Sequence, residues 1–380
     1  MLNIYKTNRI ELITEVLAKE LLINPPFITD KLNIAVQDYF LSKWMRDQIT
    51  LNNEISALYE FQTLTKYTEE IIKNINKKQN LKSWNYESIK WSIIEALEEL
   101  GKYNESWPLS KWINKFNSNK RVLNHEIDLL SGKIARIFLD YILYRPDTIE
   151  KWHKTKLSSS NLFIGLNKDQ YWQPILYKLI VKNKLSTPSC ICMQDIINDI
   201  DTYKNNFEIN IPKSIYIVAT NSLSKLQINF YSKISQISNV SIFILSPGYD
   251  LWNRINIEEG EISLNKNTFK QNIYRENIAA IFGNFAANFE KLLEETLIND
   301  ELNLNIKSPF IDPEITLNQS ENYSLLNQIQ KKLIDNNNHK IQIRNNDNSF
   351  IFRGCRNSLK ELEYIKNKII EICSASKGIT

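Results

Sequence analysis

The stretch Asp140-Tyr-Ile-Leu-Tyr-Arg145-Pro146-Asp147 places a single guanidinium at the forced end of an apolar helix. Ile134, Ile137, Phe138, Tyr141, Ile142 and Arg145 recur at three-and-four spacing and predict one buried helical face that stops at Pro146. A proline disfavours the helical conformation of the residue before it. Arg145 is therefore expected to leave the helix path with its guanidinium directed past the helix end. Guanidiniums held in this way contact phosphate or carboxylate groups. The plainer alternative is an arginine that caps its own helix carbonyls or pairs with a nearby acid, and these residues alone leave both open.

A second pattern mixes rings and cations. Trp84, Tyr86, Trp91, Trp107, Trp112 and Phe116 lie among Lys82, Lys90, Lys111, Lys115, Lys120 and Arg121. Bases stack on aromatic faces while phosphates pair with Lys or Arg, so this mixture has the ingredients of a single-strand track. Between positions 81 and 145, however, 10 basic residues oppose 8 acidic ones. So small an excess favours a core role for most of these tryptophans.

Other chemistry is missing from the sequence. A phosphate loop needs Gly-x-x-x-x-Gly-Lys-Ser/Thr, so that glycine amides wrap the phosphates while Lys and a hydroxyl hold the terminal phosphate and metal. Gly132-Lys133 is followed by Ile134, and Ile127 stands where the first glycine belongs. Two-metal nucleases commonly place a metal-bound water with Asp and a following Glu-x-Lys, a tripeptide that occurs nowhere in the chain. Glu98-Glu99 and Glu258-Glu259-Gly-Glu261 read as solvated charges. Ser246-Pro-Gly248 reads as a strand-ending turn rather than a ligand loop. The three histidines, His125, His153 and His339, have no metal-binding spacing.

The elements that position these residues follow from composition and periodicity. With 380 residues, 43% hydrophobic and 11% aromatic, the chain fills the cores of two or three domains. No apolar run reaches the roughly 18 to 20 residues of a membrane span, and the first residues lack a signal-peptide layout. Together with only four cysteines, this reads as a soluble, cytoplasmic protein. The net charge of +4 permits nucleic-acid binding without requiring it.

Strands are expected at Leu2–Tyr5 and Leu32–Gln37, with helices from Ile10 to Leu22 and from Phe40 to Thr50. Residues 62–200 read as almost wholly helical, with Ile89, Ile93, Ile94 and Leu97 on one stripe and Trp91 beside it. Strands return at Ser214–Ala219 and Asn239–Leu245 around a helix from Leu223 to Ile234, a crossover that argues for parallel pairing. Helices follow at Ile278–Leu297 and Tyr323–Leu333 between polar connections, then Asn-rich loops, then a strand at Phe350–Phe352 and a helix from Leu359 to Ile372. The expected class is α/β: a parallel sheet domain from 1–61 and 201–334, a large all-helical insertion at 62–200, a linker at 335–348, and the start of a second domain at 349–380.

Separate segments then agree on one family. Met1-Leu2 with Tyr5, Asn8 and Arg9 resembles the start of the gamma-subunit family of exodeoxyribonuclease V, the RecC family. Val36-Gln37 followed by Trp44 resembles its Val-Gln-Ser-x-Gly-Met-x-x-Trp-Leu segment. Tyr141, Tyr144-Arg145-Pro146-Asp147 and Trp152 resemble its Tyr-x-x-Tyr-Arg-Pro-Asp-x-x-x-x-Trp run. Trp172-Gln173 with Leu176, Asn277 to Gly283, and Cys355-Arg-Asn-Ser358 with Glu361 and Glu363 are similar to three further segments, in the family's order.

The resemblance implies an inactive helicase-like sheet domain without ATPase motifs, a helical insertion, and the beginning of a second helicase-like domain. It implies a non-catalytic channel and scaffold for one unwound DNA strand, where the complex scans for its regulatory Chi sequence. It also implies a RecB-like helicase-nuclease partner and a second, RecD-like helicase. No cofactor is expected in this chain, with ATP and Mg bound by those partners. Gln37 and Arg145 match channel positions of the family, and Lys43, Trp44 and Arg136 complete the expected DNA contacts. Asp38-Tyr39-Phe40 replaces Ser-x-Gly, Leu41 replaces Met, and Arg356-Asn357 replaces His-Ser, so a different Chi sequence, or none, is expected. The alternatives are an inactive helicase-like scaffold that touches no DNA, or a subunit like the B chain of the related AddAB nucleases.

Overall fold

The structure, a computed structural model, describes residues 1–23, 25, 32–54, 57–75, 84–100, 107–115, 120–182, 187–201, 211–219, 223–246, 278–298, 304–307, 324–335, 341, 343–344 and 346–375. The chain divides into two compact units, Met1–Ile311 and Asp312–Thr380. The first holds a parallel sheet of β1 (Leu2–Thr7), β2 (Leu32–Val36), β3 (Tyr59–Thr63), β4 (Ser214–Ala219), β5 (Asn239–Leu245) and β6 (Leu304–Lys307). Their order is β3-β2-β4-β5-β1-β6. Register is continuous through the centre: Ile4 pairs with Ile242 and Ile306, and Ile242 pairs in turn with Ile217.

Successive side chains of a strand point to opposite faces, and here both faces are apolar. Leu2, Ile4, Ala35, Ile215, Ile217, Val240, Ile242 and Ile244 enter one core. Tyr5, Ile34, Val36, Tyr216, Val218 and Phe243 enter the other, where Tyr5 and Phe243 stack with ring centroids 4.8 Å apart. The second face is covered by α1 (Ile10–Ile23) through Ile13, Leu17 and Leu21, and by α2 (Tyr39–Asn53) through Met45 and Ile49.

The core of the first face is shared by helices from widely separated parts of the sequence. They are α3 (Leu64–Ile75), α4 (Tyr86–Leu100), α5 (Pro108–Lys115), α6 (Lys120–Tyr144), α7 (Pro146–Lys154), α8 (Trp172–Lys182) and α9 (Ser189–Asn198). With them lie α10 (Lys225–Ile234), started by a Ser224–Gln227 capping box, and α11 (Ile278–Ile298). Ile71, Ile93, Phe138, Trp152, Leu176, Phe230 and Phe289 thus share one continuous core with the sheet. Trp152 is its largest fully buried side chain, with ring centroids 5.8 Å from Tyr177, 5.9 Å from Tyr141 and 6.4 Å from Phe138. In the second unit α12 (Leu325–Asp335) and α13 (Ser358–Ala375) are helical as expected.

Several expectations are corrected. β3 (Tyr59–Thr63) falls in a stretch given no strand and runs into the first residues of the expected helical region, and β6 falls within a polar connection. Both are short edge strands, Tyr-Glu-Phe-Gln-Thr and Leu-Asn-Ile-Lys, whose alternation spans too few residues to stand out. The strand expected at Phe350–Phe352 does not form, and Phe352 is 87% exposed; strand geometry needs a hydrogen-bonded neighbour. Ile137 is exposed because the core-facing line of α6 runs through Ile134, Ala135, Phe138 and Ile142, about 100° of helix rotation away. Among the described residues no helix is long and apolar enough to cross a membrane.

Two polar features are built into this core. Lys6 at the carboxyl end of β1 and Glu290 on α11 form an ion pair of 2.9 Å with both side chains buried, and the Ser246 hydroxyl donates to the same carboxylate. Glu294 lies 3.6 Å from the same ammonium. Breaking such a pair from one side leaves a charge in a low-dielectric site. Glu290→Leu is therefore expected to cost about 3 to 5 kcal/mol in urea denaturation, with most of the loss recovered when Lys6→Met is added. Cys190 and Cys192 on α9 are fully buried, and burial pushes both thiols up to about 12. An aromatic disulfide reagent near neutral pH should titrate only the exposed Cys355 and Cys373 in the folded protein, and all four thiols after unfolding.

Candidate nucleic-acid interface

β2 delivers the chain at Val36 to a short turn, Gln37-Asp38, that starts α2. Asp38 adopts extended backbone (φ −141°, ψ 166°), and its carboxylate accepts from the Leu41 amide at 2.7 Å, satisfying one of the open donors of the helix. The cap fixes which way the first turn faces. Because Met45 and Ile49 must lie on the sheet, Tyr39, Phe40 and Lys43 are carried to the opposite side, with Lys43 one turn beyond the two rings. Tyr39 is 73% exposed and Phe40 82%, their ring centroids 6.0 Å apart and edge-on. Lys43 is exposed, Gln37 is half-buried, and Trp44 is half-buried against the core beneath α2. Arg46, one turn further, stacks 5.6 Å from the Phe61 ring and donates to the Tyr59 carbonyl, which ties α2 to β3.

Arg145 occupies the joint between two consecutive helices. Its backbone is non-helical (φ −131°, ψ 52°), and Pro146 takes the first position of α7, where a missing amide costs nothing. The Arg145 amide donates to the Tyr141 carbonyl at 2.9 Å, and its own carbonyl accepts from Thr148 at 3.1 Å, so one residue closes α6 and opens α7. The guanidinium does not project past the helix end. It lies exposed 5.2 Å over the Tyr141 ring, one turn back, a cation–π contact that the spacing did not reveal. Arg136 lies 5.7 Å over the Tyr86 ring of α4. The two guanidiniums rest on different rings, Arg136 on Tyr86 and Arg145 on Tyr141.

Of the expected contacts, Gln37, Lys43 and Trp44 therefore lie together at the start of α2, while Arg136 and Arg145 sit on a different element. The tryptophans between 84 and 112 are mixed: Trp84 is buried, Trp107 and Trp112 are half-buried, and Trp91 is exposed; Phe116 lies outside the described residues. From the sequence, Tyr39 and Phe40 stood out as departures from a family segment, with Phe40 also the expected helix start, and neither as a surface. The signal that marks them is two adjacent aromatics just after a capping Asp, on the side of the helix away from its apolar stripe.

The sheet has a second place where a ligand would be sought. Open α/β sheets bind ligands outside the carboxyl ends of two adjacent strands whose connections leave toward opposite faces. Here β1, which leads to α1 on one face, lies beside β5, and α11 packs on the other face. At that edge Lys6 pairs with Glu290 and the Ser246 hydroxyl donates to the same carboxylate, and Asn8 and Arg9 alone connect β1 to α1. No group of three or more metal-ligating side chains is found among the described residues.

A family model described as the RecC N-terminal domain matches residues 2–336. The RecBCD enzyme subunit RecC of Buchnera aphidicola subsp. Baizongia pistaciae is 24% identical over 411 aligned residues, covering 100% of this chain and 35% of the relative. The Haemophilus influenzae RecBCD enzyme subunit RecC is 19% identical, covering 100% of this chain and 37% of the relative. The Escherichia coli K12 RecBCD enzyme subunit RecC is 25% identical over 186 residues, or 48% of this chain. The chain thus spans little more than a third of the first two relatives. The order of the matching segments, the parallel sheet and a match that runs from the first strand to α12 lead to one conclusion: the chain belongs to the RecC family, in the region of its N-terminal domain.

Proposed function

We propose that this chain lines the path of one unwound DNA strand in an ATP-dependent helicase–exonuclease, acting there as a non-catalytic channel and scaffold during double-strand break repair by homologous recombination. The observation that carries this reading is the outward face of α2, where two exposed rings stand beside an exposed ammonium. Bases of any sequence stack on such rings, and the cation neutralises the phosphate between them. Gln37 at the base of the helix supplies an amide to a base edge, and Trp44 supports the platform from below. Arg145 and Arg136 are assigned to phosphates elsewhere along the strand.

Family membership supports the setting, because the relatives carry the name of a RecBCD enzyme subunit. ATP and Mg are assigned to a RecB-like helicase-nuclease and a RecD-like helicase. The sequence lacks a phosphate loop, and the carboxyl edge of β1 and β5 holds an internal ion pair. Scanning for Chi is assigned to the same strand path, in the cytoplasm. The sheet residues 1–61 and 201–334 act as an inactive helicase-like domain, 62–200 as its helical insertion, 335–348 as a linker and 349–380 as the start of a second domain.

Binding of a fluorescent oligothymidine to the purified chain tests the reading. Affinity should fall steeply between about 50 and 300 mM salt, and Lys43→Ala should lower the salt slope by about one. Replacing Tyr39 and Phe40 by Ala should cost about 1 to 3 kcal/mol per stacked base and leave the slope unchanged. Salt-independent binding, or binding indifferent to all three substitutions, would sink the channel role of α2.

A further inference from the structure

A groove of about 700 Å³ opens on the first unit between the α6–α7 joint, α9, α10 and α11. Its size lies within the range of sites that enclose a ligand or an anchoring side-chain cluster. Leu226 of α10 and Phe289 of α11 line it and are buried, whereas Tyr144 and Phe285 border it at 61% and 67% exposure. Large exposed rings above an apolar lining resemble the anchor pockets at the centre of protein–protein contacts. Gln194 and Asn198 of α9 add amides that both donate and accept.

The charge of the lining selects the occupant. Asp147 and Glu150, three residues apart on α7, form one wall, and Lys225 at the start of α10 is the one basic residue among the described lining. Glu150 also pairs with Lys154, which itself stands outside the groove lining. A phosphate backbone entering between two carboxylates and a single ammonium would be repelled. A peptide with an apolar anchor next to Lys or Arg matches both the lining and the wall.

We propose that this groove docks a basic polypeptide segment of a partner subunit, inserting an aromatic or aliphatic side chain between Tyr144 and Phe285 with its cation against Asp147 and Glu150. The interaction is independent of the DNA reading of α2, which uses the other face of the sheet. The joint at Arg145-Pro146 gains a second role, because the turn that starts α7 aims its acidic wall into the groove.

The test places a benzophenone amino acid at Phe285 of the full chain, assembled with its partner subunits, and maps the photo-adducts. The expected product is a partner segment with an apolar residue beside Lys or Arg. Asp147→Asn, at an exposed position, should reduce its yield several-fold with at most a small change in melting temperature, since an uncharged residue at the start of α7 costs only about 0.3 to 1 kcal/mol. Tyr144→Asp, read by co-purification, provides the same check on the apolar anchor. An adduct on added single-stranded oligonucleotide, no partner adduct at all, or a yield indifferent to both substitutions overturns the proposal.

Discussion

A parallel sheet must be buried on both faces, because the crossovers that make its strands parallel also have to pack back onto it. In the first unit this requirement sets the position of nearly everything else. The alternate residues of β1, β2, β4 and β5 are apolar in both directions, so α1 and α2 are held on one side and helices from α3 through α11 on the other. The helical stretch between β3 and β4 shares its core with the sheet. Its Ile71, Ile93, Phe138 and Trp152 enter the same core as Ile215 and Ile242 of the sheet. Helix orientation, and with it the direction of every surface side chain, follows from that shared core.

The same constraint accounts for the state of the sheet's carboxyl edge. In a sheet of this kind the crevice between β1 and β5 is the natural ligand position. Here α11 packs close enough to bring Glu290 to Lys6 and Ser246. A desolvated ion pair of this sort adds little net stability compared with apolar packing, yet it is costly to break from one side. It ties α11 to the carboxyl end of β1.

Two surfaces differ in chemistry for physical reasons. On α2 the capping Asp38 and the buried Met45 and Ile49 leave Tyr39, Phe40 and Lys43 facing solvent, a combination of stacking and positive charge. At the α6–α7 joint, Pro146 restarts the helix so that Asp147 and Glu150 flank an apolar groove, a combination that disfavours phosphate and suits a basic peptide. Arg145, which first draws the eye in the sequence, serves both helices through its backbone while its guanidinium rests on Tyr141.

The sequence alone determined the α/β class and the bounds of β4 and β5, because these β-branched runs are dense enough to mark buried strands and the long three-and-four stripes mark helices. It also showed that no phosphate loop is present, and its ordered segments pointed to the RecC family. Strands β3 and β6 were hidden, since four or five alternating residues at a sheet edge carry too little periodicity. The rings of Tyr39 and Phe40 could be seen in the sequence as residues but not as a surface. Their exposure depends on which side of α2 the core claims, and that side is set by strands from distant parts of the chain. The groove beside Pro146 was beyond sequence reasoning for the same reason: its lining comes from segments between 143 and 292 that only the shared core brings together.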